Sequence, residues 1–284
     1  MCLTLKLISY SIPLGCMQKS ISDIVEEVKS GVIHIVHTVD GQRKASGTGF
    51  MVNGRLVTNY HVIYPAPDNS VVVLRTYDSN PQDLLDGIKL PYAVFLESSV
   101  TASDERGYDY IVFNLPQLKE KELYNFSWGD PKSKRMGDSI LFLGYPFEGL
   151  NLVCHTGIIS SLYKNHRDID IVQIDASVNV SNSGGPLIDP KTSEVIGIIT
   201  RKHTGLTQKF NELRLILEKN IKTLVRQERY PSSLKDFFFL KGLIANQEHI
   251  LKLTGEIERS ANVGIGYAFS IEHLNRENIS NPEE

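Results

Sequence analysis

The stretch Ser181-Asn182-Ser183-Gly184-Gly185-Pro186-Leu187 lies between two patterned apolar segments, Ile171 to Ile174 before it and Val195 to Ile199 after it. A serine followed by two glycines implies a backbone bent tightly under an exposed hydroxyl, because glycine accepts backbone angles that other residues resist. Ordinary polar turns use the same residues. A nucleophilic serine needs more than a turn: a base within hydrogen-bond reach, an acid to orient that base, and a scaffold that holds all three.

The chain is long enough to supply the scaffold. Its 284 residues, 41% hydrophobic and 22% charged, can bury a sizeable core in one large domain or two small ones. The formal net charge of -3 gives neither a basic field for nucleic acid nor an acidic tract. Cys2, Cys16 and Cys154 are odd in number and fit neither a zinc spacing nor a disulfide framework, so no metal or other cofactor is expected. Met1 to Met17 makes a poor secretory leader, because Lys6 is its only basic residue and Ser9, Tyr10, Ser11 and Pro13 interrupt its apolar run. It is also too short to span a bilayer. Met17 is therefore the expected natural start and the cytoplasm the expected compartment, with periplasm or secretion as the alternative.

Ser20 to Asp23 offers caps for a short helix carrying Ile21, Ile24, Val25 and Val28. β-Branched runs follow at Val32 to Val39, Gly47 to Val52, Arg55 to Val62, Val71 to Tyr77, Tyr92 to Ser98 and Tyr110 to Leu115. A second set comprises Ser139 to Gly144, Leu152 to Leu162, Ile169 to Ser177, Pro186 to Asp189, Val195 to Arg201 and Gly266 to Ile271. Two sets of short strands without alternating helices predict an all-β core of two antiparallel β-barrels. The expected divisions are an N-terminal extension and short helix (1–30), a first barrel (31–115), a linker (116–138) and a second barrel (139–203 with 264–274). A helical insertion (204–263) and a polar tail (275–284) complete the chain. The insertion is read from Phe210, Leu213, Leu217, Ile221 and Leu224, then Phe237, Leu240, Ile244 and Leu251, which recur at helical spacing as a hairpin before the last strand. Its stripes are packing faces, and an exposed remainder is a possible dock for a regulatory partner.

A base and an acid stand where such a scaffold would place them. His61 ends the predicted strand in Thr58-Asn59-Tyr60-His61-Val62, and Asp109 opens the apolar strand Tyr110 to Leu115. Asp104 is the alternative acid, set in the polar run Thr101 to Gly107. The chain order His61, Asp109, Ser183 is that of the triad on double β-barrel proteases. Subtilisin-like enzymes run acid, His, Ser, and α/β-hydrolases run Ser, acid, His with a glycine two places before the nucleophile, where this chain has Ser181.

These segments resemble the trypsin-like (chymotrypsin-fold) serine peptidases, and within them the HtrA/Deg branch. The similarity runs from about Ile21 to His203 and resumes at Gly264 to Leu274. It rests on Ser46-Gly47-Thr48-Gly49-Phe50, the segments around His61 and Asp109, Gly144-Tyr145-Pro146-Phe147, Thr156 to Ser160, and most of all Asp175 to Leu187. The resemblance implies a serine endopeptidase acting on proteins or peptides. In it Ser183 attacks the carbonyl, His61 carries the proton and Asp109 fixes the imidazole. It further implies an oxyanion hole from the backbone N–H groups of Ser181 and Ser183, and a specificity pocket involving Ser177, Asn179, Thr200 and Arg201 that favours small or aliphatic side chains. Two positions depart from the pattern. Ser181 stands where the branch usually has glycine, and Asn182 replaces the aspartate that pairs with a freed N-terminal ammonium in zymogen-activated relatives. Activation by N-terminal cleavage is therefore not expected, and neither is a PDZ module after Leu274. The competing reading is a catalytically silent module that keeps the fold for binding.

Overall fold

Residue alternation along the strands decides how the halves of the molecule meet. The computed structural model describes residues 19–64, 66–67, 69–146, 149–200, 205–261, 264–272 and 274. The expected start at Met17 lies outside these residues. Helix α1 (Ile21–Val28) begins at Ser20, whose hydroxyl accepts from the Asp23 N–H at 3.2 Å while the Asp23 carboxylate accepts from the Ser20 N–H at 3.2 Å.

β1 (Val32–Val39), β2 (Gln42–Val52), β3 (Arg55–Thr58), β4 (Val71–Arg75), β5 (Ile88–Pro91), β6 (Ser99–Ser103) and β7 (Tyr110–Phe113) form one antiparallel sheet. Their order is β5-β4-β1-β2-β3-β7-β6. Asn53 and Gly54 join β2 to β3 with φ of 50° and 71°, the left-handed pair that a two-residue hairpin loop needs. The second unit comprises β8 (Ser139–Gly144), β9 (Val153–Lys164), β10 (Asp170–Asp175), β11 (Pro186–Ile188), β12 (Val195–Thr200) and β13 (Gly266–Ser270). It closes as a barrel in the order β10-β13-β12-β11-β8-β9. The all-β, two-unit architecture matches the expectation, with one difference: the first unit is a sheet with β5 and β6 at its edges rather than a ring closed by hydrogen bonds.

Period-two alternation sorts the side chains into three cores. Ile33 and Ile35 of β1 join Met51 and Leu56 inside the first sheet, and Ile140 and Phe142 of β8 join Ile159 and Ile174 inside the barrel. Their strand neighbours Val32, Leu141 and Leu143 face the opposite way and share a third cluster with Phe50, Val57, Ile188 and Val195. This third cluster holds the two units face to face, and α1 contributes Ile24 and Val28 to it. The linker runs across both units. The Phe126 N–H donates to the Met51 carbonyl and the Gly129 N–H to the Val195 carbonyl, each at 2.8 Å.

Two strand expectations are corrected. Tyr92 to Ser98 is not a strand: Tyr92–Glu97 is a helix, α3, flanked by β5 and β6. Tyr92 and Phe95, three apart, are buried while Val94 is exposed, so the burial follows helical rather than alternating spacing. The strand read over Arg55 to Val62 ends at Thr58, and His61 lies on the short helix α2 (Tyr60–Ile63).

The remaining helices are α4 (Pro116–Lys119), α5 (Gly205–Glu228) and α6 (Leu234–Ala261). Helices α5 and α6 pack chiefly on each other and stand between β12 and β13 in the chain. The Ser233 hydroxyl accepts from the Asp236 N–H at 3.1 Å and starts α6.

Candidate active site

The base and the acid come from adjoining strand ends of the first sheet. Thr58 ends β3 and Tyr110 begins β7, and the two strands pair, which places α2 beside Asp109. The Asp109 carbonyl accepts from the Tyr60 N–H at 3.3 Å and from Asn59 Nδ2 at 2.8 Å, fixing the turn before His61. The Asp109 side chain then takes both donors of the histidine: His61 N–H reaches Oδ1 at 3.0 Å and Nδ1 reaches Oδ2 at 2.6 Å. Thr200 of β12 adds a third donor, its hydroxyl 3.3 Å from Oδ2. Asp109 is only 4% exposed, and a buried carboxylate needs this number of partners. With Asp109 as the acceptor, the proton of the 2.6 Å contact lies on His61 Nδ1.

The serine loop is held from both sides. On the barrel side, the Gly184 N–H donates to the Ile199 carbonyl and the Ile199 N–H to the Gly185 carbonyl, both at 2.8 Å. On the sheet side Thr48 of β2 makes two bonds: its N–H to the Ser183 carbonyl at 2.8 Å and its hydroxyl to the Ser181 carbonyl at 2.7 Å. Gly184 has φ +87°, and a Cβ there would strike the Thr48 carbonyl, so glycine is required twice over.

Ser181 adopts φ +74°, a conformation that costs a serine about 1 kcal/mol or more. Its hydroxyl lies 2.8 Å from the hydroxyl of Ser46, a side-chain contact that a glycine could not make. Among the described residues, neither the Ser181 nor the Ser183 N–H donates to another protein group.

His61, Asp109, Ser181, Ser183 and Thr200 line one cleft of about 920 Å³. Ile171, Val180, Tyr267 and Phe269 give it apolar wall. The expected pocket residues are distributed differently. Thr200 lines the cleft but bonds to Asp109, whereas Ser177 and Asn179 are absent from its lining and the Ser177 hydroxyl accepts from the Gly264 N–H at 2.9 Å. Arg201 lies outside the described residues. Asp104, the alternative acid, reaches the cleft, but its carboxylate accepts from the Arg106 and Gly107 N–H groups and builds the turn before Asp109.

Sequence reasoning singled out neither Ser46 nor Thr48, although both stand in the quoted motif Ser46 to Phe50. Their partners are more than a hundred residues away, and pairing at that distance has no local signal. Among the described residues, no group of His, Cys, Asp and Glu is arranged to hold a metal ion.

The model of the trypsin-like peptidase domain family matches residues 47–198. The chain is 32% identical over 201 residues to serine protease HTRA1A of Danio rerio, covering 65% of this chain and 37% of that protein. It is 35% identical over 164 residues to the probable periplasmic serine endoprotease DegP-like of Brucella suis, covering 55% of this chain and 27% of that one. The chain thus spans about a third of the length of these curated relatives. Among solved structures, Tobacco Etch Virus protease superposes with a TM-score of 0.51 at 14% identity, over 94% of this chain and 84% of that one, a likeness of fold.

Proposed function

We propose, for a chain that belongs to the family of trypsin-like peptidase domains, that it is a serine endopeptidase working through Ser183, His61 and Asp109. The observation that carries this reading is the two-point bond from His61 to Asp109 in the cleft that Ser183 also lines. In this reading the lone pair of His61 Nε2 removes the Ser183 hydroxyl proton as Oγ attacks the scissile carbonyl. The imidazolium that forms is stabilised by Asp109 and returns the proton to the leaving amine. Water then attacks the acyl-Ser183 ester, His61 acting as base again, and the acid product leaves.

The N–H groups of Ser181 and Ser183 bind the oxyanion in both steps. A donor of this kind contributes about 3 kcal/mol to the transition state, so the left-handed turn at Ser181 has functional weight. Thr48 and Ser46 act as positioning residues: the bonds to the Ser181 carbonyl and hydroxyl offset the strain of φ +74° and hold the turn. Thr200 positions the acid through its bond to Asp109 Oδ2.

Substrates are proteins or peptides, with an aliphatic side chain before the scissile bond suited to the wall of Ile171, Val180 and Phe269. The DegP-like relative is named as periplasmic, and that compartment replaces the cytoplasm as the reading to test, by fractionation of native cells.

A fluorophosphonate probe tests the chemistry. Covalent labelling of the wild type at Ser183, absent in Ser183→Ala, is the expected result. An unlabelled wild type under conditions that label a control peptidase would favour the silent binding module.

A further inference from the structure

The helical hairpin carries apolar surface that the rest of the fold leaves uncovered. Among the described residues of α5 and α6, Leu217, Ile244 and Thr254 are buried, and neither helix packs closely on the strands. Exposed large apolar side chains occur along the stem, at Leu215, Ile216 and Ile257, and four more gather around the turn between the helices. Tyr230 is 87% exposed, Leu234 78%, Phe238 69% and Phe239 66%. The turn lies at the far end of a stem about 40 Å long, given the 28 residues of α6 and the rise of an α-helix.

The arrangement of these groups identifies what they meet. Leu234 and Phe238, four apart, share one face of α6, whereas Phe239 is turned about 100° from Phe238. A protein groove reads a single stripe of anchors at i, i+3 or i+4, and i+7. Exposed apolar groups that point to more than one side of the tip suit a partner without fixed shape.

Charge makes the same distinction. Between residues 222 and 241 there are five cations (Lys222, Arg226, Arg229, Lys235, Lys241) and two anions (Glu228, Asp236), so the tip carries 5 − 2 = +3 in a chain of net charge -3. The Asp236 carboxylate is moreover engaged by the Ser233 hydroxyl at 2.8 Å. An open dent of about 480 Å³ between the helix ends brings Arg226 and Asp236 together with Tyr230, Phe239 and Leu240. Aromatic and aliphatic groups ringed by long cationic side chains are the composition that settles at the boundary of an anionic bilayer.

We propose that this tip docks on an anionic lipid surface. Tyr230, Leu234, Phe238 and Phe239 enter the interfacial layer while Arg226, Arg229 and Lys235 face the headgroups. The contact is peripheral, since no helix among the described residues is long and apolar enough to cross a membrane. It is independent of the proposed chemistry at Ser183.

Sedimentation of the full chain with vesicles tests the proposal. The protein is expected to sediment with vesicles of phosphatidylcholine mixed with phosphatidylglycerol and to stay in the supernatant with phosphatidylcholine alone. Arg229→Glu combined with Lys235→Glu should weaken binding at least about twenty-five-fold, at about fivefold per cation lost, and Phe238→Ser with Phe239→Ser should abolish it. Ser183→Ala should bind like the wild type, which separates this result from the fate of the peptidase reading. All the tip substitutions are at solvent-facing positions, and unchanged circular-dichroism melting will establish that each variant is folded. Phe238→Trp supplies a second readout, a blue-shifted emission quenched by brominated lipid in the mixed vesicles only. No sedimentation of the wild type with mixed vesicles overturns the proposal, as does equal binding by the folded tip variants. Light scattering that finds the tip mediating self-association without lipid, lost in the same variants, also overturns it, because the surface would then be a protein contact.

Discussion

The β units and the helical hairpin bury their apolar residues to very different extents. In the β units Val32, Phe50, Leu141, Phe142 and Ile174 are fully buried, and three clusters run from one end of the double unit to the other. The hairpin, of comparable regularity, leaves Leu215, Ile216, Phe238 and Phe239 more than half exposed. The first arrangement holds the Ser181–Ser183 loop in place through two bonds from Thr48. The second leaves sticky surface for something outside the chain. Precision and adhesion are thus kept in separate parts of the molecule.

The largest expected effect is on chemistry. Asp109→Asn should lower kcat/KM on a peptide substrate by about 10⁴-fold, because the amide favours the wrong histidine tautomer. Phe238→Ser should leave kcat/KM unchanged within error, and a comparable loss in that variant would break the division between the two regions. Next comes packing: Phe50→Ala removes a ring that meets Phe126 and Trp128 edge-on and should cost about 3–5 kcal/mol in urea unfolding. Thr48→Val should cost about 1–3 kcal/mol by orphaning buried groups, and should lower kcat while KM holds steady. Thr48→Ser should restore kcat, which a purely structural role for the methyl group would not allow.

Smaller again is a pH effect from two buried histidines of the first sheet. Burial, with the charges of Arg75 and Arg43, holds the His34 imidazole down at about 3, and burial holds His37 at about 4. Below the ordinary histidine value near 6.5 the unfolded chain takes up protons that the folded chain refuses. Stability should therefore fall as pH drops from about 6.5 toward 4, each histidine contributing up to about 1.4 kcal/mol per pH unit. Chemical denaturation across that range should be flatter for His34→Gln than for the wild type. Smallest of all, Leu215→Ser on the hairpin should change stability by less than about 0.5 kcal/mol.

Much of this organisation is legible in the sequence alone. The strand runs Val32 to Val39 and Ser139 to Gly144 coincide with β1 and β8, because β-branched residues bounded by turn formers leave few alternatives. The hairpin followed from a stripe at helical spacing. Tyr92 to Ser98 misled, since seven residues are too few to separate a period of two from one of 3.6. At the site, the candidate base His61 and acid Asp109 were readable because one ends and the other begins an apolar run, and Ser183 because it stands in a glycine turn between two such runs. Ser46, Thr48 and the role of Thr200 were not, because their partners are fixed by how two separately patterned sheets face each other. The pocket was the least legible part. Its apolar wall comes from β10 and β13, which a helical hairpin separates in the chain.

That separation sets the timing of the molecule's own assembly. β13 lies between β10 and β12 and pairs with both, Ala268 meeting Val172 on one side and Ile199 on the other. A chain emerging from the ribosome completes β12 at residue 200 but must make the whole hairpin before residues 266–270 can fill the gap. Until then the barrel has two open edges, and Thr200, the residue that touches the acid, sits on one of them. In a chain built this way the cleft is completed only once the hairpin has been made, when β13 joins β10 to β12.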